Sequence, residues 1–267
     1  MPSLTINGQS IFYESTGTGA PLVLIAGLGS SHFLWWKQIQ PLSARYRVIA
    51  LDNRGIGDSA PVSDPFTVAD MADDAAALIR ALDIGPSHVM GISMGGFIAL
   101  TLTLRHPELV NKLILCATSA GGASHVPPSD EMLNLLAKSD FPDIATRTRV
   151  IYSAIAAPGH MAAHPEDLEP LVRDAEEKPL SVTTYLHQLG AVSDYIIKSG
   201  KDQALDGITA PTLVIHGNAD PLVAYDNGCY LAAHIKGARL ETYEGVGHLP
   251  PIEATDRLNS DVMAFLG

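Results

Sequence analysis

Gly91-Ile92-Ser93-Met94-Gly95 sets a serine between two glycines at two-residue offsets. The apolar run His88-Val89-Met90 leads into it, and Gly96-Phe97-Ile98-Ala99-Leu100-Thr101-Leu102 follows. The order is strand, sharp turn, helix, with Ser93 at the tip, which is the nucleophile-elbow pattern. In so tight a turn a side chain at either flanking position would clash, and glycine tolerates the dihedrals required. The serine then stands at the N-terminus of the next helix, where free backbone N–H groups favour negative charge.

Strands and helices alternate outward from this point. Ser3 to Ile6 and Gln9 to Glu14 flank Asn7-Gly8, a hairpin signal. Pro21 to Ala26, Tyr46 to Leu51 and Lys112 to Ala117 are continuous apolar runs, as expected of strands buried on both faces. Between them, Thr67 to Leu82 repeats apolar residues at helical spacing. Units of about 30 residues in this alternation predict a parallel sheet with helices on both faces.

The rhythm breaks from 119 to 203. No strand pattern is found there, only helical stretches: Asp130 to Lys138, Asp143 to Ala157, Pro165 to Glu177 and Leu180 to Lys198. The expectation is a helical cap, 119–203, inserted into a core formed by 1–118 and 204–267. Strand patterns return at Pro211 to His216 and Arg239 to Tyr243, and a closing helix covers Thr255 to Leu266.

In parallel α/β sheets, functional groups gather beyond the carboxyl ends of the strands. Ser93, Asp220 and His248 each follow a strand pattern, and their chain order is that of the elbow class. A serine hydroxyl attacks only when a base takes its proton. His248 is the candidate base, and Asp220 would hold its tautomer.

The chain resembles the α/β-hydrolase superfamily, and more closely its small bacterial carboxylesterase and 3-oxoadipate enol-lactonase branch. The resemblance rests on Gly91 to Gly96, on His216-Gly217-Asn218-Ala219-Asp220, on Gly245-Val246-Gly247-His248-Leu249-Pro250 and on the loop Asp52 to Ser59. It implies an α/β-hydrolase fold with a mostly parallel eight-stranded sheet. It implies ester or lactone hydrolysis through an acyl-enzyme, with no cofactor and no metal. By that likeness the backbone N–H groups of Leu28 and Met94 form the oxyanion hole. Relatives often carry His-Gly before the first of these donors, where this chain has Ala26-Gly27. Carbon–carbon bond hydrolases of the superfamily commonly carry an aromatic residue after the catalytic histidine; here it is Leu249. Haloperoxidase or perhydrolase chemistry or carbon–carbon bond hydrolysis with the same triad, and a low-turnover receptor on the same scaffold, are the alternatives.

Composition narrows the partners. The 267 residues carry a net charge of −12, which disfavours nucleic acid and anionic membranes. With no signal-peptide pattern, no long apolar span and only Cys116 and Cys229, a cytoplasmic enzyme acting on a small-molecule ester or lactone and water is expected. Gly27-x-Gly29 lacks the third glycine of a dinucleotide fingerprint. His216 is a rival base, read as structural. His32 is read as a surface residue able to line the pocket. Asp52 and Asp58 are read as turn residues partnered by Arg54 and loop amides. His125, His160, His164 and His187 match no metal motif. Arg147, Arg149 and Arg173 form no evident cluster for a dicarboxylate, which favours a neutral or apolar substrate.

Overall fold

The computed structural model describes residues 2–138, 140–198 and 205–267. Its centre is one eight-stranded sheet in the order β1-β2-β4-β3-β5-β6-β7-β8. The strands are β1 (Ser3–Ile6), β2 (Gln9–Thr16), β3 (Ala20–Ile25), β4 (Tyr46–Leu51), β5 (Ser87–Ile92), β6 (Val110–Cys116), β7 (Thr212–Gly217) and β8 (Arg239–Tyr243). β1 and β2 are antiparallel, turning at Asn7 and Gly8, both with positive φ (49° and 79°). β2 also runs antiparallel to β4, and every pairing from β4 to β8 is parallel. The all-buried patterns of β5 and β7 follow from covering on both faces.

The core helices are α1 (Trp36–Ser43), α2 (Val68–Ala81) and α3 (Met94–Arg105). Thr67 caps α2, its side chain accepting from the Asp70 amide while Asp70 returns a bond to Thr67. The helix after the elbow starts at Met94, directly after Ser93, with Gly95 and Gly96 in its first turn, where they mask the helical periodicity. Between β6 and β7 lie α4 (Asp130–Ala137), α5 (Ile144–Ile155), α6 (His160–Ala163), α7 (Pro165–Glu177) and α8 (Val182–Lys198). The expected junction at 203 and 204 lies outside the described residues. After β7 come α9 (Tyr225–His234), α10 (Pro250–Glu253) and α11 (Thr255–Leu266).

Two apolar clusters sandwich the sheet. One packs α2, α3 and α9 against one face. The other packs α1, α10 and α11 against the opposite face. The helices between β6 and β7 feed both: Ala191 and Tyr195 join the first, while Met132, Ile151 and Leu171 join the second. No helix among the described residues is long and apolar enough to cross a membrane.

Candidate active site

Ser93 occupies φ 55° and ψ −123°, a conformation that costs a non-glycine residue about 1–3 kcal/mol. The neighbourhood leaves it little choice. A side-chain carbon on Gly91 would strike the Gly95 carbonyl, and one on Gly95 would strike the carbonyls of Ile25 and Ala26. Backbone bonds lock the turn: Ser93 N–H donates to Cys116 O (3.0 Å), and Ser93 O accepts from Gly96 N–H (2.8 Å) and the Thr118 hydroxyl (2.8 Å). The serine is thus fixed between the end of β5 and the start of α3.

Asp220 lies in the loop after β7, buried and held on four sides. Its Oδ1 accepts from the amides of Leu222 and Val223, both at 2.8 Å. Its Oδ2 accepts from His248 Nδ1 at 2.8 Å and lies 3.4 Å from His216 Nε2. Burial pushes the carboxyl pKa up, but the charge of His248 and the hydrogen bonds of His216 and His248 outweigh it, holding Asp220 at about 2. With Nδ1 donating to Asp220, neutral His248 keeps a free basic lone pair on Nε2.

His216 is fully buried and does not line the cavity that Ser93 and His248 share. Its Nε2 donates to Val223 O at 2.8 Å, so it braces the Asp220 loop. The His248 loop has a brace that sequence reading missed. Glu253 Oε2 accepts from the amides of Gly247 (2.9 Å) and Ala157 (2.8 Å), and Oε1 accepts from Leu249 (2.9 Å). The available signal was a lone carboxylate on a short helix five residues after His248.

Ser93 and His248 line one cavity of about 100 Å³ together with Gly27, Leu28, Gly29 and Ser30. A side chain at Gly27 would press on Ser93, its first carbon 3.2 Å from Ser93 Cβ. Among the described residues, the amides of Leu28 and Met94 donate to no protein acceptor. The walls are mostly apolar, including Leu34, Ile56, Ile151, Ile155 and Leu249. Arg147, Asp174 and Lys178 also reach the cavity.

Other sequence expectations are placed as follows. His32 is buried rather than at the surface, and it does not line the cavity. Its Nδ1 meets Asp52 Oδ1 at 2.9 Å, and its backbone N–H donates to the same oxygen at 2.6 Å. Asp52 Oδ2 accepts from the Asp58 amide (2.8 Å), a turn role. Arg54 pairs instead with Asp74, through two bonds of 2.7 and 2.8 Å. Of the three arginines, only Arg147 faces the cavity, and its guanidinium lies over the Tyr185 ring at 4.3 Å. Arg149 is occupied by Glu169, and Arg173 is exposed.

The fold is that of a hydrolase scaffold, and residues 20–255 match the alpha/beta hydrolase fold family model. The chain belongs to that family. Over 111 residues it is 46% identical to BpoC of Mycobacterium tuberculosis, named for non-heme bromoperoxidase activity; that match spans 41% of this chain and 42% of BpoC. Over 96% of its length it is 30% identical to a 2-hydroxy-6-oxononadienedioate/2-hydroxy-6-oxononatrienedioate hydrolase of Cupriavidus pinatubonensis, covering 90% of that protein. The enol-lactonase structure from Burkholderia xenovorans superposes with a TM-score of 0.82 at 26% identity, over 99% of both chains.

Proposed function

We propose that this protein is a cofactor-free serine hydrolase cleaving a small, neutral or apolar carboxylic ester or lactone through an acyl-enzyme, with 119–203 as a cap over the site. Ser93 attacks the carbonyl carbon while His248 Nε2 takes the hydroxyl proton. The carbonyl oxygen becomes an oxyanion held by the Leu28 and Met94 amides. His248, stabilised as imidazolium by Asp220, then protonates the leaving alcohol as the tetrahedral adduct collapses. Water, deprotonated by His248, attacks the acyl-enzyme and releases the acid and Ser93.

One observation carries this reading: Ser93 and His248 share a cavity in which His248 is already oriented by Asp220 from behind. The size of the cavity supports a small substrate. At about 100 Å³ it falls short of the roughly 300–1,000 Å³ of common ligand pockets. Of the two cations at the wall, Arg147 is stacked on Tyr185 and Lys178 is paired with Asp58 Oδ2 at 2.6 Å, which leaves no free pair to grip a dicarboxylate. Ser93→Ala with a panel of para-nitrophenyl esters and lactones is the test. Loss of turnover, and of the burst seen with the parent, is expected; full activity in Ser93→Ala would overturn the proposal.

The likeness to BpoC favours a second reaction at the same residues. Hydrogen peroxide in place of water would release a peroxyacid from the acyl-enzyme. Halide oxidation in acetate with peroxide, measured beside ester hydrolysis and lost with it in Ser93→Ala, would establish it. Carbon–carbon cleavage receives less support, since Leu249 is aliphatic.

A further inference from the structure

Three consecutive residues of the loop that carries Leu28 are each gripped by a different helix of the proposed cap. Gly29 N–H donates to Gln188 Oε1 of α8 at 2.8 Å. Ser30 Oγ and the Tyr152 hydroxyl of α5 are 3.1 Å apart. Ser31 Oγ donates to Asp174 Oδ2 of α7 at 2.6 Å. We infer that Gln188, Tyr152 and Asp174 are positioning residues that hold the oxyanion loop in its working form, so that the cap completes the hole as well as roofing it. This rests on the serine-hydrolase reading above.

The geometry of the loop explains why a clamp is needed. Ser30 N–H donates to Gly27 O at 3.2 Å, which makes Leu28 and Gly29 the central pair of a four-residue turn. Gly29 has φ +70°, whereas Leu28 does not lie at positive φ, the pattern of a type II turn. Turns of types I and II differ by a flip of the central peptide. In this turn the central N–H is that of Gly29, the group taken by Gln188. A flip would break that bond and reset ψ of Leu28 and φ of Gly29, turning over the peptide that directly follows Leu28, whose own amide is the proposed oxyanion donor.

Gln188 is fully buried, and among the described residues its Nε2 has no hydrogen-bond partner. An amide buried with half its bonding unmet is costly, which a role for the other half accounts for. The Ser31 bond adds a second function, because the same hydroxyl accepts from Phe33 N–H at 3.1 Å and starts the next helical turn. Asp174 therefore anchors the far end of the loop where it enters that turn. The bonds bridge 159, 122 and 143 residues of chain, so no local preference supplies them.

The test compares Gln188→Met, which keeps the bulk and removes the acceptor, with Gln188→Glu, which keeps an acceptor oxygen. Tyr152→Phe is a milder variant that tests the clamp should Gln188→Met fail to fold. In Gln188→Met, kcat for a para-nitrophenyl ester is expected to fall about 10- to 100-fold with KM little changed, part of the 10²–10³ that loss of a whole donor costs. Affinity for a boronic acid, whose tetrahedral adduct with Ser93 puts an oxygen in the hole, should weaken by a similar factor. Gln188→Glu should recover most of both. Parental kcat in folded Gln188→Met and Tyr152→Phe, or a fall in kcat with unchanged boronate affinity, would overturn the clamp. Ser93→Ala, run alongside, separates the two failures: if it is inactive while Gln188→Met is fully active, only the clamp is lost, and if it is active, the hydrolase reading itself falls.

Discussion

Asp220 Oδ2 and His248 Nδ1 meet at 2.8 Å, and the imidazole is 3% exposed. This pairing assigns the Nδ1 proton before any substrate arrives. Asp220→Asn removes the charge and can present an N–H in place of the acceptor, which favours the wrong tautomer. Turnover is expected to drop by about 10⁴, the scale seen when the acid of such a triad is neutralised. Steady-state kinetics with a chromogenic ester, beside a thermal melt to establish folding, checks this.

Glu253 makes a prediction that separates from catalysis in part. Its two oxygens serve three backbone amides around Gly247, Leu249 and Ala157. In Glu253→Gln one side of the group becomes an NH₂ facing donors. The expected loss is about 1–3 kcal/mol of unfolding free energy, the cost of stranding a buried donor. A urea titration measures it, and kcat should fall as well because the His248 loop loosens.

Gly95 tolerates no side chain. A Cβ there would stand 2.7 Å from the Ala26 carbonyl oxygen and closer still to that of Ile25, both backbone atoms. Gly95→Ala is expected to cost about 3 kcal/mol or more. For a domain of this size the melting temperature should fall by about 6–12 °C. A melt indistinguishable from the parent would contradict the close approach of β3 to the elbow.

The His32–Asp52 pair predicts a pH signature. Burial alone would lower the His32 pKa, but the hydrogen bond and charge of Asp52 outweigh it and set it above the ordinary 6.5. A raised folded-state value means that the stabilisation is fully present below the unfolded pKa. It is lost as pH rises through the folded one. His32→Asn should therefore lag the parent most in acid, with the gap in urea midpoint narrowing as the pH rises through and above 6.5. A gap that widens with pH would reverse the sign.

Arg147 tests the substrate class. Arg147→Met keeps the alkyl bulk beside Tyr185 and removes the charge. Hydrolysis of a neutral short-chain ester should stay within about threefold of the parent. A carboxylate-bearing ester that is the better parental substrate and loses about 10-fold or more, the scale of one charge-assisted hydrogen bond, would replace the neutral reading.

The placement of Ser93, Asp220 and His248, each on a short loop directly after a strand, was legible because local pattern and chemistry coincide there. The start of α3 was less legible, since helix propensity is weakest at the glycines the elbow demands. His32 read as a surface residue because its partner Asp52 is 20 residues away, on a loop that only the parallel pairing of β3 with β4 brings alongside. Gln188, Tyr152 and Asp174 had no sequence signal. Each lies on a helix whose spacing reports only an apolar face, and their partners are more than 120 residues distant.

The helices between β6 and β7 contribute to both apolar clusters that flank the sheet. Exchanging this segment wholesale for a relative's, in order to change substrate range, would open voids on both sides of the sheet at once. Chimeras of that kind should be metastable unless Met132, Ile151, Leu171, Ala191 and Tyr195 are matched in volume. Single replacements at Thr148 and Ile155, which face the cavity, leave those five residues in place and are the gentler route to a re-tailored pocket.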